Sequence, residues 1–265
     1  MAHTTRPITG PILIGLASIF CASLLFGGRA LAQGTAPTLD HFRCYFTQGP
    51  PLNEVVGLKD QFDPATGVGE DVRVMYPVRL CNPVEKKRLD KVTPILNPDG
   101  HLKMYLIAPL LTAAGAVSQP APGRMVVVRN QFGLQSLRLS QPEVLAVPTQ
   151  KFPHNPPQGL DHFKCYRATG RNIAQVVSLN DQFVQSPDVK VLEPFGFCNP
   201  VAKLHNNQVT PIQNSKAHLV CYTITREPFE TSVDTLNQFG PESLLVHGTD
   251  LLCVPSAKLR VRTLQ

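Results

Sequence analysis

Four histidines, His41, His101, His162 and His218, open the same short frame, in which a tyrosine follows four residues on: Tyr45, Tyr105, Tyr166 and Tyr222. Each frame is trailed by a lysine at a fixed place in a second motif: Lys86, Lys151, Lys203 and Lys258. Imidazole is the side chain suited to proton transfer near neutral pH. A desolvated lysine amine can act as a base or nucleophile. Cysteines accompany both motifs, and a thiolate can attack a substrate, bind a metal or pair with another cysteine.

The repetition argues against catalysis. An active centre needs one asymmetric constellation of nucleophile, base and charge stabiliser. Residues that return four times are explained more simply as determinants of a fold. The recurring Gln61, Gln131, Gln182 and Gln238 then serve to satisfy backbone groups. The chain has no Gly-x-Ser-x-Gly, no His-Glu-x-x-His and no phosphate-binding glycine loop. The acidic run from Asp63 to Asp71 lacks EF-hand spacing and reads as a surface loop, with calcium the weaker alternative. Equivalent histidines meeting about a pseudo-two-fold to bind a metal is likewise the weaker reading. No catalytic residue, cofactor or metal ligand is therefore assigned.

The chain that must position these residues is a duplication. Leu39-Asp-His-Phe-Arg-Cys-Tyr45 returns as Leu160-Asp-His-Phe-Lys-Cys-Tyr166, and Asn130-Gln-Phe-Gly133 returns as Asn237-Gln-Phe-Gly240. Each copy divides again into halves that read His-Φ-x-Cys-Tyr, then (Asp/Asn)-Gln-Phe, then Cys-x-Pro-x-x-Lys. In the opening motif Phe42 and Cys44 point one way and His41, Arg43 and Tyr45 the other, the period of a strand. Val72-Arg-Val74 and Val126-Val-Val-Arg129 are rich in β-branched residues, as strands are. The expected fold is all-β: two tandem disulfide-stapled domains, each a sandwich or small barrel built from two related halves of about four strands. The expected boundaries are a leader at 1–32, a first domain at 39–151, a proline-rich linker at 152–159, a second domain at 160–258 and a tail at 259–265. The prolines of 152–159 favour a stiff, extended link. The pairs Asn82-Pro83 and Asn199-Pro200 suggest a short helical turn.

The halves also select the disulfides. Three halves carry both cysteines: Cys44 and Cys81, Cys165 and Cys198, Cys221 and Cys253. The remaining half has Met104 and Ala146 at the same two places. Loss of both together is what a bonded pair predicts, and a flexible methionine beside a small alanine fills comparable space. No Cys-x-x-Cys occurs, which weighs against zinc.

Arg6, the uncharged run Pro11 to Phe26 and Ala30-Leu31-Ala32 have the order of a secretory leader cleaved before Gln33. No stable membrane span remains after that cleavage. Of 25 lysines and arginines, two lie in the leader; 19 acidic residues leave the mature chain at +4. So mild and evenly spread a charge excludes nucleic acid as a partner. Twenty-five prolines and no tryptophan suit short strands and loops.

The motifs together resemble a family of exported bacterial tandem-repeat domains of unknown function, over nearly all of residues 39–258. The first copy departs from the pattern at Met104 and Ala146. The resemblance implies an exported, cysteine-stapled bacterial domain, periplasmic or extracellular, and implies no activity. The expected function is a non-enzymatic binding or structural module whose partner is an unknown protein or envelope component. The alternative is a cell-envelope hydrolase with its site in non-repeated loops. The largest difference between the copies is Leu106 to Arg124, an apolar insertion in which Leu110 and Leu111 are the candidate partner contacts.

Overall fold

The computed structural model describes residues 1–3, 39–65, 69–110 and 123–264. The leader from residue 4 on and Leu111 lie outside the described residues, and Leu110 is half-buried just beyond the last residue of a strand. All the elements are strands, and their order repeats by half. The first half holds β1 (His41–Gln48), β2 (Glu54–Lys59), β3 (Glu70–Arg88) and the short β4 (Lys91–Thr93). The second holds β5 (His101–Pro109), β6 (Arg124–Asn130) and β7 (Gly133–Lys151). The third holds β8 (His162–Thr169), β9 (Gln175–Asn180), β10 (Gln185–His205) and β11 (Gln208–Thr210). The fourth holds β12 (His218–Ile224), β13 (Glu230–Asn237) and β14 (Gly240–Thr263).

In each half the opening strand pairs antiparallel with the long closing strand, β1 with β3, β5 with β7, β8 with β10 and β12 with β14. The closing strand then pairs with the opening strand of the next half, β3 with β5, β7 with β8 and β10 with β12. The last closing strand, β14, returns to β1. Eight strands, two from each half, thus close into a ring. Closure removes the unpaired edges that an open sheet exposes. The copies share this ring, since β7–β8 and β14–β1 join one copy to the other, and the strands form one compact unit.

An eight-stranded ring has an interior that side chains alone can fill. Phe42, Leu102, Phe163 and Leu219 fill it together with the six cysteines, Met104 and Ala146. The disulfides are Cys44–Cys81, Cys165–Cys198 and Cys221–Cys253. Each joins residues directly opposite across an opening and closing strand, with Cα atoms about 4 Å apart. Met104 faces Ala146 in the same register. Neighbouring cystines touch inside the ring, with Cys44 Sγ 3.8 Å from Cys253 Sγ.

Each closing strand begins outside the ring. Its first part forms a hairpin with the short strand before it, as β2 does with β3 and β6 with β7. The strand turns into the ring at a bulge marked by Pro77, Pro142, Pro194 or, in β14, the pairing shifts beside Gly248, which has φ +56°. Bulges permit such corners. The hairpins cover the ring's outer face, which is why His41 to Tyr45 are buried on both faces of β1.

Three sequence expectations change here. Asn82-Pro83 and Asn199-Pro200 lie in extended strands, not in helical turns. The reason is a change of neighbour. β3 leaves β5 after Cys81 and joins β9 from Glu85, and β10 leaves β12 after Cys198 and joins β2 from Ala202. Proline has no N–H to donate, so it suits the gap between two partners. Pro148 and Pro255 occupy the same gap in β7 and β14. The stretch 152–159 begins with a turn, not an extended link: the Phe152–Pro153 peptide is cis, and His154 N donates to Lys151 O. The tail expected at 259–265 is, as far as Thr263, a continuation of β14 beside β6.

Candidate functional site

The histidine end of the ring shows what the repeated residues do. Each (Asp/Asn)-Gln-Phe turn reaches two other halves at once. Gln131 meets His41 Nε2 at 2.5 Å, Gln182 Oε1 meets His101 Nε2 at 2.9 Å and Gln238 Oε1 meets His162 Nε2 at 3.0 Å. In every case the turn belongs to the half after that of the histidine. At the fourth station Gln61 instead bonds Lys258 and Ser215 O, and His218 stacks on Phe197. The phenylalanine of each turn lies under the lysine of the preceding half, with Lys151 Nζ 4.2 Å from the Phe183 ring centre and Lys258 Nζ 4.9 Å from that of Phe62.

The first residue of each turn crosses to the half opposite. Tyr166 OH donates to Asp60 Oδ2 at 2.9 Å and Tyr45 OH to Asp181 Oδ2 at 2.7 Å. Asn130 Nδ2 donates to Tyr222 OH at 2.8 Å and Asn237 Nδ2 to Tyr105 OH at 3.0 Å. The same asparagine or aspartate accepts from the backbone N–H two residues on, which shapes the turn. The turn phenylalanines meet the same tyrosines edge-on at 5.1–5.3 Å. Gly133 and Gly240, at φ +98° and +104°, end the two tight versions of the turn, a conformation open to glycine.

Burial sets the electrostatics. It lowers His101 and His162 to about 4 and His41 and His218 to about 3, so all four are neutral near pH 7. It lowers Lys86, Lys151, Lys203 and Lys258 to about 8. It raises the tyrosine hydroxyls, Tyr222 to about 12. These groups hold one half to the next and do not converge on a common point. Among the described residues no three metal-ligating side chains gather. Two carboxylates of the run considered for calcium flank a lysine: Lys164 Nζ lies 3.0 Å from Asp63 and 2.9 Å from Glu70, with Asp60, just before the run, at 3.8 Å.

The opposite end of the ring is where the halves differ. Arg79 faces the interior two residues before Cys81, and its counterparts are Val144, Gly196 and Leu251. It forms a forked ion pair with Asp250, with Nε at 2.8 Å and Nη2 at 2.7 Å from Oδ2. Burial raises the Asp250 carboxyl above its ordinary value, and the guanidinium offsets part of that rise. Arginines and phenylalanines alternate across this mouth. Arg226 lies over Phe46, Arg79 between Phe46 and Phe195, and Arg167 over Phe195, at 4.2–5.4 Å. Beside them Phe46, Tyr76, Val78, Arg79 and His247 line a groove of about 440 Å³. Phe46 stacks on His247, and Tyr76 is 42% exposed.

Sequence reasoning missed this cluster, because it singled out what repeats. The usable signal was the reverse: Arg79, Phe46, Phe195 and Asp250 stand at ring positions where each half has a different residue. With this geometry in place, the comparisons add one match. Residues 113–255 match a family described as a repeat of unknown function (DUF7450). No curated protein and no solved structure matches the chain.

Proposed function

The chain belongs to the DUF7450 repeat family, and from that premise we propose that it is a non-enzymatic, exported binding module that takes its partner at the unrepeated mouth of the ring. The observation that carries this reading is the division of labour between the two ends. Repeated His, Gln, Tyr and Asp side chains bond one another across the halves. The unrepeated Phe46, Tyr76, Arg79 and His247 line an open, aromatic groove. Aromatic residues and arginine supply most of the binding energy at protein surfaces. Export rests on the leader order in the sequence and on three disulfides, which fit an oxidising compartment. Leu110 and Leu111 remain a second proposed contact with the partner or envelope.

The test compares the mature protein with a Tyr76→Ser, His247→Ala variant for retention by the isolated envelope fraction. The expected result is lost retention with an unchanged thermal melt. Equal retention of a folded variant would refute the mouth as the binding surface.

A further inference from the structure

A different feature stands beyond the histidine end of the ring, and it goes beyond the reading above. Strand alternation puts Lys86 and Arg88 on one face of β3 and sends Glu85 and Lys87 to the other. The β3–β4 hairpin sets Arg88 directly opposite Lys91. Like charges facing each other across two strands are destabilising unless something neutralises them. Here the three cations share one face, over a groove of about 650 Å³ lined by Lys86, Arg88, Leu89, Asp90, Lys91 and Gln131.

The neighbours do not neutralise them. Arg88 donates to neutral oxygens, to Gln175 Oε1 at 2.8 Å and 3.2 Å and to Gln131 O at 3.2 Å. Those bonds hold the guanidinium in place without cancelling its charge. Lys86 is 2% exposed, and no acceptor bonds its ammonium among the described residues, although the Phe132 ring lies 6.0 Å away. Among the described residues Asp90, at the hairpin tip, is the one carboxylate on the groove, and it makes no ion pair within 4.0 Å. The cations Arg43, Arg79, Lys103 and Lys164 each have a carboxylate within 3.0 Å. The other three station lysines differ as well. Lys151 bonds Gln182, and Lys258 bonds Gln61 and Asn199. Burial lowers Lys203 with no cation adding to it, whereas Arg88 and Lys91 lower Lys86 beyond the effect of burial.

We propose that Lys86, Arg88 and Lys91 form a binding site for a tetrahedral oxyanion, a phosphate or sulfate group. Such an anion would accept from the lysine ammonium groups and the free guanidinium N–H, and it would relieve the repulsion between Arg88 and Lys91. The same hairpin recurs in the third half as β10–β11, but without the facing cations: Gln208 stands opposite His205 where Lys91 stands opposite Arg88. In the third half Leu204 and His205 replace Lys87 and Arg88, and His205 pairs with Glu54 at 3.3 Å.

The test titrates the mature protein with inorganic phosphate, with sulfate and with a sulfated polysaccharide, at constant ionic strength, by calorimetry and amide NMR. Lys91→Gln, an exposed position, and the double Arg88→Gln, Lys91→Gln variant are titrated alongside. The expected result is saturable shifts centred on Lys86 to Lys91 and an affinity about tenfold weaker in Lys91→Gln, with an unchanged melt. Retention of binding in Lys91→Arg would confirm the charge requirement. Much tighter binding of the polymer than of the free ions would place the anion on a polymer, and equal binding per group would point to the free ion. Absence of saturable shifts, or equal affinity in the double variant, would overturn the site.

Discussion

Lys164 and Val220 hold the same place in two successive opening strands, two residues past the histidine, and they meet opposite chemistry. Lys164 is buried against Asp60, Asp63 and Glu70 from the hairpin of the first half. Val220 is buried in an apolar cluster with Val126, Val128 and Leu137 from the hairpin of the second. Tyr166, next on the inner side of the first socket, donates to a carboxylate, and Tyr222 pairs with Asn130 and Gln135. The frame is the same in both sockets and the filling differs. The repeated motifs set where the opposite hairpin docks. The residue at the contact has only to match what that hairpin brings. A buried ammonium is held by its carboxylates because an unpaired charge would cost several kcal/mol.

The largest effect should come from what both sockets share. His162 and His218 protonate in the unfolded chain near 6.5 but in the folded one only near 4 and 3. Between those values the unfolded state holds more protons, so stability falls as pH drops through 6.5. The limiting slope is about 1.4 kcal/mol per pH unit for each histidine. Urea denaturation at stepped pH checks this, and a flat stability from 6.5 to 4 would show that the histidines titrate freely.

The next effect separates the sockets. Lys164→Met leaves three carboxylates without their cation and should cost about 3–5 kcal/mol. Adding Asp63→Asn and Glu70→Gln should recover part of that loss in the same denaturation assay. A neutral Lys164→Met would mean that the carboxylates turn to water and that the two sockets are equivalent after all.

Removing one hydroxyl sharpens the contrast. Tyr166→Phe takes a donor from buried Asp60 and should cost about 2–3 kcal/mol, against about 1 kcal/mol for Tyr222→Phe, whose partners are neutral. Equal losses would contradict the assignment of charge to one socket only.

The smallest effect tests the shared frame itself. Met104 and Ala146 face each other in the register of the bonded pairs. Met104→Cys with Ala146→Cys should therefore form a fourth disulfide in the oxidised protein and raise stability by about 1–2 kcal/mol. Peptide mapping and melts with and without reductant would decide. Free thiols at both positions would show that the second half is not a true copy of the others.

Much of this was legible before any coordinates. Joint loss of two cysteines at Met104 and Ala146 pointed to the bonds, since a bonded pair is useful only when whole. The alternation of Phe42 and Cys44 against His41 and Tyr45 assigned the two faces of β1. Fourfold recurrence assigned the histidines and tyrosines to the frame. Other features were not legible for definite reasons. Pro83 and Pro200 read as turn formers because nothing local reveals that a strand changes neighbour there. The mouth escaped notice because Arg79, Phe46 and Phe195 lie in three different strands, and each is unremarkable in its own stretch.

By itself, then, the sequence determined the strands, their inner and outer faces, the disulfide pairs and the kinship of four halves. These are local or repeated properties, written in periodicity of two and in matched spacing. Only the tertiary structure decided that the eight ring strands close through both copies, that each hairpin docks on the half opposite, and that Arg79 meets Asp250. Alternation says which way a side chain points and not what stands across from it. That partner is chosen when distant strands come into register around one buried interior.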